Sequence, residues 1–249
     1  MNFIFITLFP DMIKEYMQHS IAKRAIVKGC IEVYTLNPRD FTTDKHCMVD
    51  DIPFGGGPGM VLKPEPWVES IKCAKEYFPL AQVIALSPEG SVLTAQTAMS
   101  IASSKQDLIF LCGHYEGFDV RIFKYVDSFV SIGDYVLTGG ELPALVLMDT
   151  CMRFMDGVLG NSDSAVQDSF SYGLLDHPHY TRPVEYDGMV VPEVLRSGNH
   201  RLIERWRRKE SIRRTLEYRP DLLQNTKLRQ SDQKILEEIL VEKSGENNE

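Results

Sequence analysis

The 249-residue sequence lacks the apolar run of roughly 18 residues that a membrane-spanning helix needs. Its most apolar stretch is interrupted by Glu141, Asp149 and Arg153. The N-terminus also lacks the basic start and small-residue cleavage site of a signal peptide. These absences argue against an integral membrane protein and predict a cytoplasmic, globular one.

Cysteine is scarce as well. The five cysteines are widely scattered and form no C-x-x-C pair, so their spacing favours neither a zinc site nor a redox pair. We expect buried, reduced thiols.

An excess of positive charge is also missing, because the formal net charge is -8. A protein that coats nucleic acid indiscriminately must neutralise many phosphates, and this balance argues against that class. One basic island remains between Arg201 and Arg214, where seven basic residues stand against two acidic ones. Such a face is often merely solvated, but two acids cannot balance seven bases, which favours contact with phosphate.

Short β-branched and aromatic runs alternate with helical patterns along the first two-thirds of the chain, as in a parallel α/β sheet. The strands are predicted at residues 3–9, 31–36, 83–86, 108–112 and 129–132. Helices are predicted at residues 12–21, 67–71, 95–102 with Thr94 as N-cap, 142–154, 194–216 and 235–241. We expect a catalytic domain at residues 1–159, a flexible linker at 160–173 and a mainly helical domain at 174–249.

A glycine tract at residues 55–60 is the first candidate ligand loop. It does not fit the dinucleotide fingerprint, because Met60 stands where the last glycine is required, and no Gly-Lys-Ser/Thr follows. Two interpretations stay open: a mobile loop, or a loop whose missing side chains, at Gly59 for example, let a polynucleotide backbone approach closely.

Three further glycine-bearing loops follow three predicted strands, at residues 87–90, 113–117 and 133–140. Ligands of open α/β sheets bind at the carboxyl ends of strands, although each loop alone is also ordinary turn chemistry. Together they predict a pocket walled by backbone groups, suited to a flat neutral ring such as adenine. Tyr115 and Tyr135 offer stacking surface, and Glu116 and Asp134 offer charge for a cationic group or a metal.

Several motifs, in one order, resemble the bacterial tRNA (guanine-N1)-methyltransferases. They are DDIPFGGGPGM at 50–60, LCGHYEGFD at 111–119, SIGDYVLTGGELP at 131–143, LDHPHYTRP at 175–183, and VPEVL at 191–195 followed by SGNH at 197–200. The resemblance implies an α/β fold of the SPOUT class with a deep trefoil knot. It also implies S-adenosylmethionine as methyl donor, a homodimer whose active site uses both subunits, and the guanine just 3′ of the tRNA anticodon as substrate.

The resemblance also implies residue roles. Asp168 matches the general base and Arg153 the active-site arginine that stabilises charge on guanine O6; on composition alone, Asp163 competes with Asp168. The cofactor residues implied are Leu86, Ser87, Pro88, Gly113, Tyr115, Glu116, Ile132, Gly133, Asp134, Tyr135, Val136, Leu137, Gly139 and Gly140. The substrate candidates are Ser164, Gly59, Arg182, Arg201, Arg205, Arg208, Arg213 and Arg214.

The family is described as magnesium dependent, and Glu116 is the candidate for the neighbourhood of Mg²⁺. Two alternatives stay open from the residues themselves. One is a SPOUT methyltransferase for another RNA or for a ribose hydroxyl, and the other is a non-enzymatic RNA-binding module.

Overall fold

A computed structural model describes residues 1–160 and 168–246. The chain divides into two compact units, Met1–Ser162 and Asp163–Glu249. Within the described ranges, no helix is long and apolar enough to cross a membrane.

The first unit is built on a five-stranded parallel sheet, as the sequence predicts. In order across the sheet the strands are β2 (Glu32–Leu36), β1 (Asn2–Ile6), β6 (Leu108–Leu111), β5 (Gln82–Val92) and β7 (Ser128–Ser131). Two short strands, β3 (Asp50–Asp51) and β4 (Val61–Leu62), pair antiparallel. The α/β sheet is confirmed, and the trefoil knot stays a prediction.

Helices cover both faces of this sheet. They are α1 (Pro10–Tyr16), α2 (Ser20–Val27), α3 (Pro64–Tyr77), α4 (Ala95–Ser104) and α5 (Glu141–Met152), with 3-10 turns at Pro38–Phe41 and Val120–Tyr125. The single helix predicted at residues 12–21 is wrong: the chain forms two helices, because Ser20 has a φ of +47°, outside the α-helical region. Thr94 is confirmed as an N-cap, since its hydroxyl accepts a hydrogen bond from Thr97 N–H at 3.1 Å.

Both faces of the sheet are buried, which explains why its strands read as continuous apolar runs. Phe3, Phe5 and Phe110 pack on one face, while Ile4 and Ile109 pack on the other.

The predicted burial of the thiols holds only in part. Cys112 and Cys151 are buried, and burial raises the pKa of both thiols, but Cys47 is exposed. All five cysteines are free.

Strand β5 makes an excursion that shapes the site. It pairs with β7 as far as Leu86, departs, and pairs again from Ser91. At Gly90 a Cβ atom would lie 2.6 Å from the carbonyl carbon of Val130, so only glycine allows this close return. Residues 87–90 of β5 therefore bulge out of the pairing with β7.

The second unit contains a hairpin, β8 (Glu185–Tyr186) with β9 (Met189–Val190), and four helices among its described residues. These are α6 (Glu193–Arg196), α7 (His200–Tyr218), α8 (Pro220–Asn225) and α9 (Gln230–Glu246). Its core contains Leu174, Ile212, Ile235 and Ile239.

The described part of the predicted linker, residues 168–173, is hydrogen-bonded into the second unit. Asp176 N–H donates to Ser169 Oγ at 2.9 Å, and the Thr226 hydroxyl donates to the Gly173 carbonyl at 2.8 Å.

Candidate active site

A cavity of about 520 Å³ opens at the carboxyl ends of β5, β6 and β7. This volume lies within the range of small-molecule sites, roughly 300–1,000 Å³. The three glycine-bearing loops predicted from the sequence form its walls. Its lining includes Leu86, Ser87, Pro88, Gly113, Tyr115, Glu116, Ile132, Gly133, Tyr135, Val136, Leu137, Gly139 and Gly140.

Asp134 is the one predicted cofactor residue that does not line the cavity. Its side chain is exposed because the chain makes a tight turn around it, in which Tyr135 N–H donates to the Gly133 carbonyl at 2.9 Å. The Tyr135 hydroxyl also donates to the Ile132 carbonyl at 3.0 Å. The role of Asp134 toward a ligand stays a prediction.

Close backbone contacts build the wall beside β6. A Cβ atom at Gly140 would lie 2.6 Å from Cys112 Cα, and one at Gly113 would lie 2.7 Å from the Phe118 ring. The Gly140 N–H donates to the Gly113 carbonyl at 2.8 Å. These loops approach each other because neither carries a side chain at the contact, which leaves main-chain groups facing the cavity.

The sequence reasoning assigned no role to the apolar side chains of the cavity. Phe118, Phe123, Val130 and Pro143 line it. Phe118 packs edge-on against Trp67 at 4.8 Å between ring centroids, so the helix α3 supports this wall. The signal was available, because Phe118 and Pro143 stand inside the quoted motifs.

A buried polar cluster lies directly behind the cavity. Glu141 is 2% exposed and accepts hydrogen bonds from the Thr7 hydroxyl at 2.6 Å and from His114 Nε2 at 2.7 Å. His114 lines the cavity, but Glu141 does not. Sequence reasoning missed this cluster, since Thr7 lies 134 positions from Glu141 and His114 lies 27 positions from it.

Gly59 belongs to the loop that borders Glu116. A Cβ atom at Gly59 would overlap the carboxylate of Glu116, and Glu116 N–H donates to the Met60 carbonyl at 3.0 Å. The structure thus brings Gly59 close to the cavity, and the glycine makes room for a cavity residue.

Arg153 does not line the cavity. It caps the C-terminal end of α5 and is half-buried, whereas the cavity wall includes Gly140 at the N-terminal end. Thirteen residues at a rise of about 1.5 Å separate the two ends by about 20 Å.

Asp168 and Arg182 belong to the second unit. Asp168 is half-buried at a turn in which Ser171 N–H donates to its carbonyl at 3.3 Å, and Arg182 is exposed. Ser164, and Asp163 as the competing acid, lie outside the described residues.

The basic island lies on α7, and it is less free than the sequence suggested. Arg205 pairs with Glu238, and Arg208 binds both oxygens of Asp232 at 3.0 and 2.8 Å. Arg213 pairs with Glu210 and with Glu242. The charge count within the island was incomplete because it omitted the acids of α9.

Arg201, Arg207 and Arg214 differ from these residues. Among the described residues, no carboxylate lies within 4.0 Å of their guanidinium groups. Arg201 and Arg207 are exposed, and Arg214 is half-exposed. They keep the positive charge that phosphate contact needs.

One group of three potential metal ligands occurs among the described residues: Asp176, His177 and His179 of the second unit. The carboxylate of Asp176 pairs with both imidazoles, at 2.6 and 2.8 Å. Imidazole nitrogens are poor ligands for Mg²⁺, which prefers oxygen. Glu116 is not part of this group.

Comparison with known proteins agrees with the motifs. The family model described as tRNA (Guanine-1)-methyltransferase TrmD matches residues 1–225. A tRNA (guanine-N(1)-)-methyltransferase of Dehalococcoides mccartyi is 51% identical over 96% of this chain and 97% of its own length. Proteins of the same name from Dictyoglomus turgidum and Bacillus cereus (strain AH820) are 48% and 50% identical, over 95% and 94% of this chain and 96% of their own lengths. The chain therefore belongs to the tRNA (guanine-1)-methyltransferase family, and its α/β unit has the fold of the SPOUT class.

Proposed function

We propose that this protein transfers a methyl group from S-adenosylmethionine to N1 of the guanine immediately 3′ of the anticodon, guanine 37, in tRNA. The observation that carries the proposal is the glycine-walled cavity at the carboxyl ends of three parallel strands. Membership of the family supports the reaction, since relatives at about 50% identity are named for it.

The cavity fits S-adenosylmethionine in size and in chemistry. Loops without side chains at Gly113, Gly139 and Gly140 offer N–H and C=O groups to an adenine edge, while Leu86 and Ile132 offer apolar contact to its faces. When bound, the sulfonium supplies an electrophilic methyl group. The task of the protein is then to aim that group and to prepare the guanine.

Two side chains would prepare the guanine. Methylation at N1 requires loss of the N1 proton, which the carboxylate of Asp168 accepts as general base. Negative charge then shifts toward O6, where the guanidinium of Arg153 donates hydrogen bonds. Glu116, at the cavity, would attract a hydrated Mg²⁺, which commonly keeps several of its waters and is held by one or two carboxylates.

A homodimer explains the position of Arg153. Because about 15 Å of helix α5 separates it from Pro143, the last residue of this helix that lines the cavity of its own subunit, Arg153 serves the cavity of the second copy. Leu142 and Val146, one helical turn apart on α5, are exposed at 52% and 44%, and Val136, in the loop that precedes α5, is 84% exposed. An isologous interface would bury these apolar side chains.

The second unit would hold the tRNA. Arg201, Arg207 and Arg214 have no carboxylate partner among the described residues and supply phosphate contacts, with Arg182 as an additional one. The aromatic rings of Tyr180 and Trp206, 6.2 Å apart, lie on the same unit and offer stacking surface.

The decisive experiment is transfer of a radiolabelled methyl group to an unmodified tRNA transcript, beside a second transcript altered only at guanine 37. We expect label on the first transcript alone, with N1-methylguanosine as the labelled nucleoside. Equal labelling of both transcripts, or label on a ribose, would contradict the proposed specificity.

A further inference from the structure

We propose that Glu141 is a positioning residue of the cofactor cavity: its buried carboxylate holds His114, and through His114 the wall that contacts the methyl donor. This inference rests on the proposed function and deepens it. Glu141 itself does not line the cavity, so its effect on the ligand passes through its neighbours.

The burial of Glu141 is the first argument. Its side chain is 2% exposed, and a buried carboxylate is expensive unless hydrogen bonds compensate for the lost water. One oxygen accepts from Thr7 and the other pairs with His114 Nε2, so both are engaged. Glu141 also stands in the first turn of α5, where the helix dipole favours negative charge.

The second argument is the position of His114 between the two loops of the wall. His114 forms an isolated β-bridge with Gly139, and the adjoining Gly140 N–H donates to the Gly113 carbonyl at 2.8 Å. A Cβ atom at Gly139 would overlap the imidazole of His114 and would lie 2.7 Å from the carboxylate of Glu141. The missing side chain at Gly139 thus provides the space in which this pair meets.

The third argument is that the cluster connects the wall to the carboxyl end of β1. Phe9 N–H donates to the Thr7 hydroxyl at 2.9 Å, and that hydroxyl donates to Glu141. The ring of Phe9 packs against the imidazole of His114 at 4.9 Å between centroids. Thr7 follows β1, so the carboxylate connects the end of β1, the loop after β6 and the start of α5. A polar network in which every member is engaged holds one arrangement of its loops.

The test separates positioning from mere stability. Glu141→Gln replaces one carboxylate oxygen by an amide NH₂ group. That group then faces either the Thr7 hydroxyl or His114 Nε2, both of which donate to the carboxylate in the wild type. In His114→Leu the donor is lost at similar volume, whereas His114→Gln places an amide nitrogen near the position of Nε2. Tyr16→Phe is the matched control, because it removes the hydrogen bond from Tyr16 to Asp149 on the same helix, away from the cavity.

The dissociation constant for S-adenosylmethionine is measured by titration calorimetry, kcat is measured at saturating donor, and urea unfolding reports stability. We expect Glu141→Gln and His114→Leu to raise the dissociation constant about tenfold, as for loss of one charge-assisted hydrogen bond. We expect kcat to change less than the dissociation constant, and His114→Gln to restore most of the affinity. Tyr16→Phe should lower stability and leave the affinity unchanged.

Wild-type affinity in both Glu141→Gln and His114→Leu would overturn the inference and make Glu141 a purely structural residue. Should Glu141→Gln fail to fold, Thr7→Val removes one arm of the cluster at nearly constant volume, and an unchanged affinity there counts equally against the inference. If the wild-type protein binds no S-adenosylmethionine at all, the proposed function fails and this inference fails with it.

Discussion

Gly59 lies directly against the carboxylate of Glu116, and it does so with a φ of +82° that disfavours any side chain. We predict that Gly59→Ala displaces Glu116 from the edge of the cavity, because a Cβ atom would overlap its carboxylate. The variant should lose about 1 kcal/mol of stability, because alanine is strained in the left-handed backbone conformation. Its kcat/KM should also fall, because Glu116 is displaced.

Gly56→Ala is the matched control for that substitution. Gly56 has a similar φ of +77° in the same loop, but a Cβ atom there would meet nothing within 4 Å. Urea unfolding and methyl transfer are measured for both variants. Equal losses of activity would show that the contact with Glu116 has no functional effect.

The buried end of the ion-pair network between α7 and α9 should govern the acid stability of the second unit. Arg208 holds the pKa of Asp232 below the ordinary aspartate value, chiefly through its hydrogen bonds to the carboxylate. Because the folded pKa is the lower one, the stabilisation is complete above an ordinary pKa of 3.8 and is lost as the pH falls through the folded value.

We therefore expect Asp232→Asn to lower the free energy of unfolding by roughly 1.5–3 kcal/mol at pH 7. The free energy of unfolding of this variant should also change less as the pH falls. Asp221→Asn, which breaks the exposed pair with Arg219, should cost much less stability, because solvent screens that pair. Urea unfolding followed by circular dichroism between pH 7 and pH 3 checks both values. An Asp232→Asn loss as small as that of Asp221→Asn would refute the assignment.

Arg201 and Arg214 should contribute more to tRNA binding than Arg205, which pairs with Glu238. Arg201→Ala and Arg214→Ala each remove a cation with no carboxylate within 4.0 Å among the described residues, so each should weaken binding several-fold. Each should also reduce the slope of log K against log salt by about 0.7–0.9. Arg205→Ala should have a smaller effect, because Glu238 already neutralises Arg205. Filter binding at several salt concentrations distinguishes the two groups, and identical slopes for all three variants would contradict the distinction.

The role proposed for Asp168 as general base is tested by Asp168→Asn. We expect kcat for tRNA to fall by about 10²–10⁴ while binding of S-adenosylmethionine is retained, because the amide cannot accept the N1 proton. Single-turnover methyl transfer measures the chemical step. Activity close to wild type would favour a reaction without N1 deprotonation, such as methylation of a ribose.

The proposal that two subunits share each active site predicts complementation between two inactive variants. Arg153→Ala removes the arginine, and Ser87→Trp fills the cavity that Ser87 lines. A mixed dimer of the two variants contains one intact cavity facing one intact Arg153 of the other copy, so activity should return to about half the wild-type value when sites are independent. No recovery in a purified mixed dimer would show that each subunit uses its own arginine.

Sequence patterning was sufficient for the parallel sheet and for the cavity loops, because buried parallel strands read as apolar runs and their glycine-bearing ends lie together at one edge. It was insufficient where partners are distant along the chain. The carboxylates of α9 that neutralise Arg205 and Arg208 lie 24 to 33 positions away, and Glu141 lies 134 positions from Thr7.

Strand β5 leaves β7 at Leu86 and returns at Ser91. This geometry limits which substitutions in the cavity could weaken the binding of an inhibitor. Part of the cavity wall is main chain, as at Gly140, and the return of β5 depends on Gly90; at both glycines any side chain would collide with neighbouring backbone. A competitive inhibitor that binds only these N–H and C=O groups would meet few positions where a substitution weakens the drug and spares the fold.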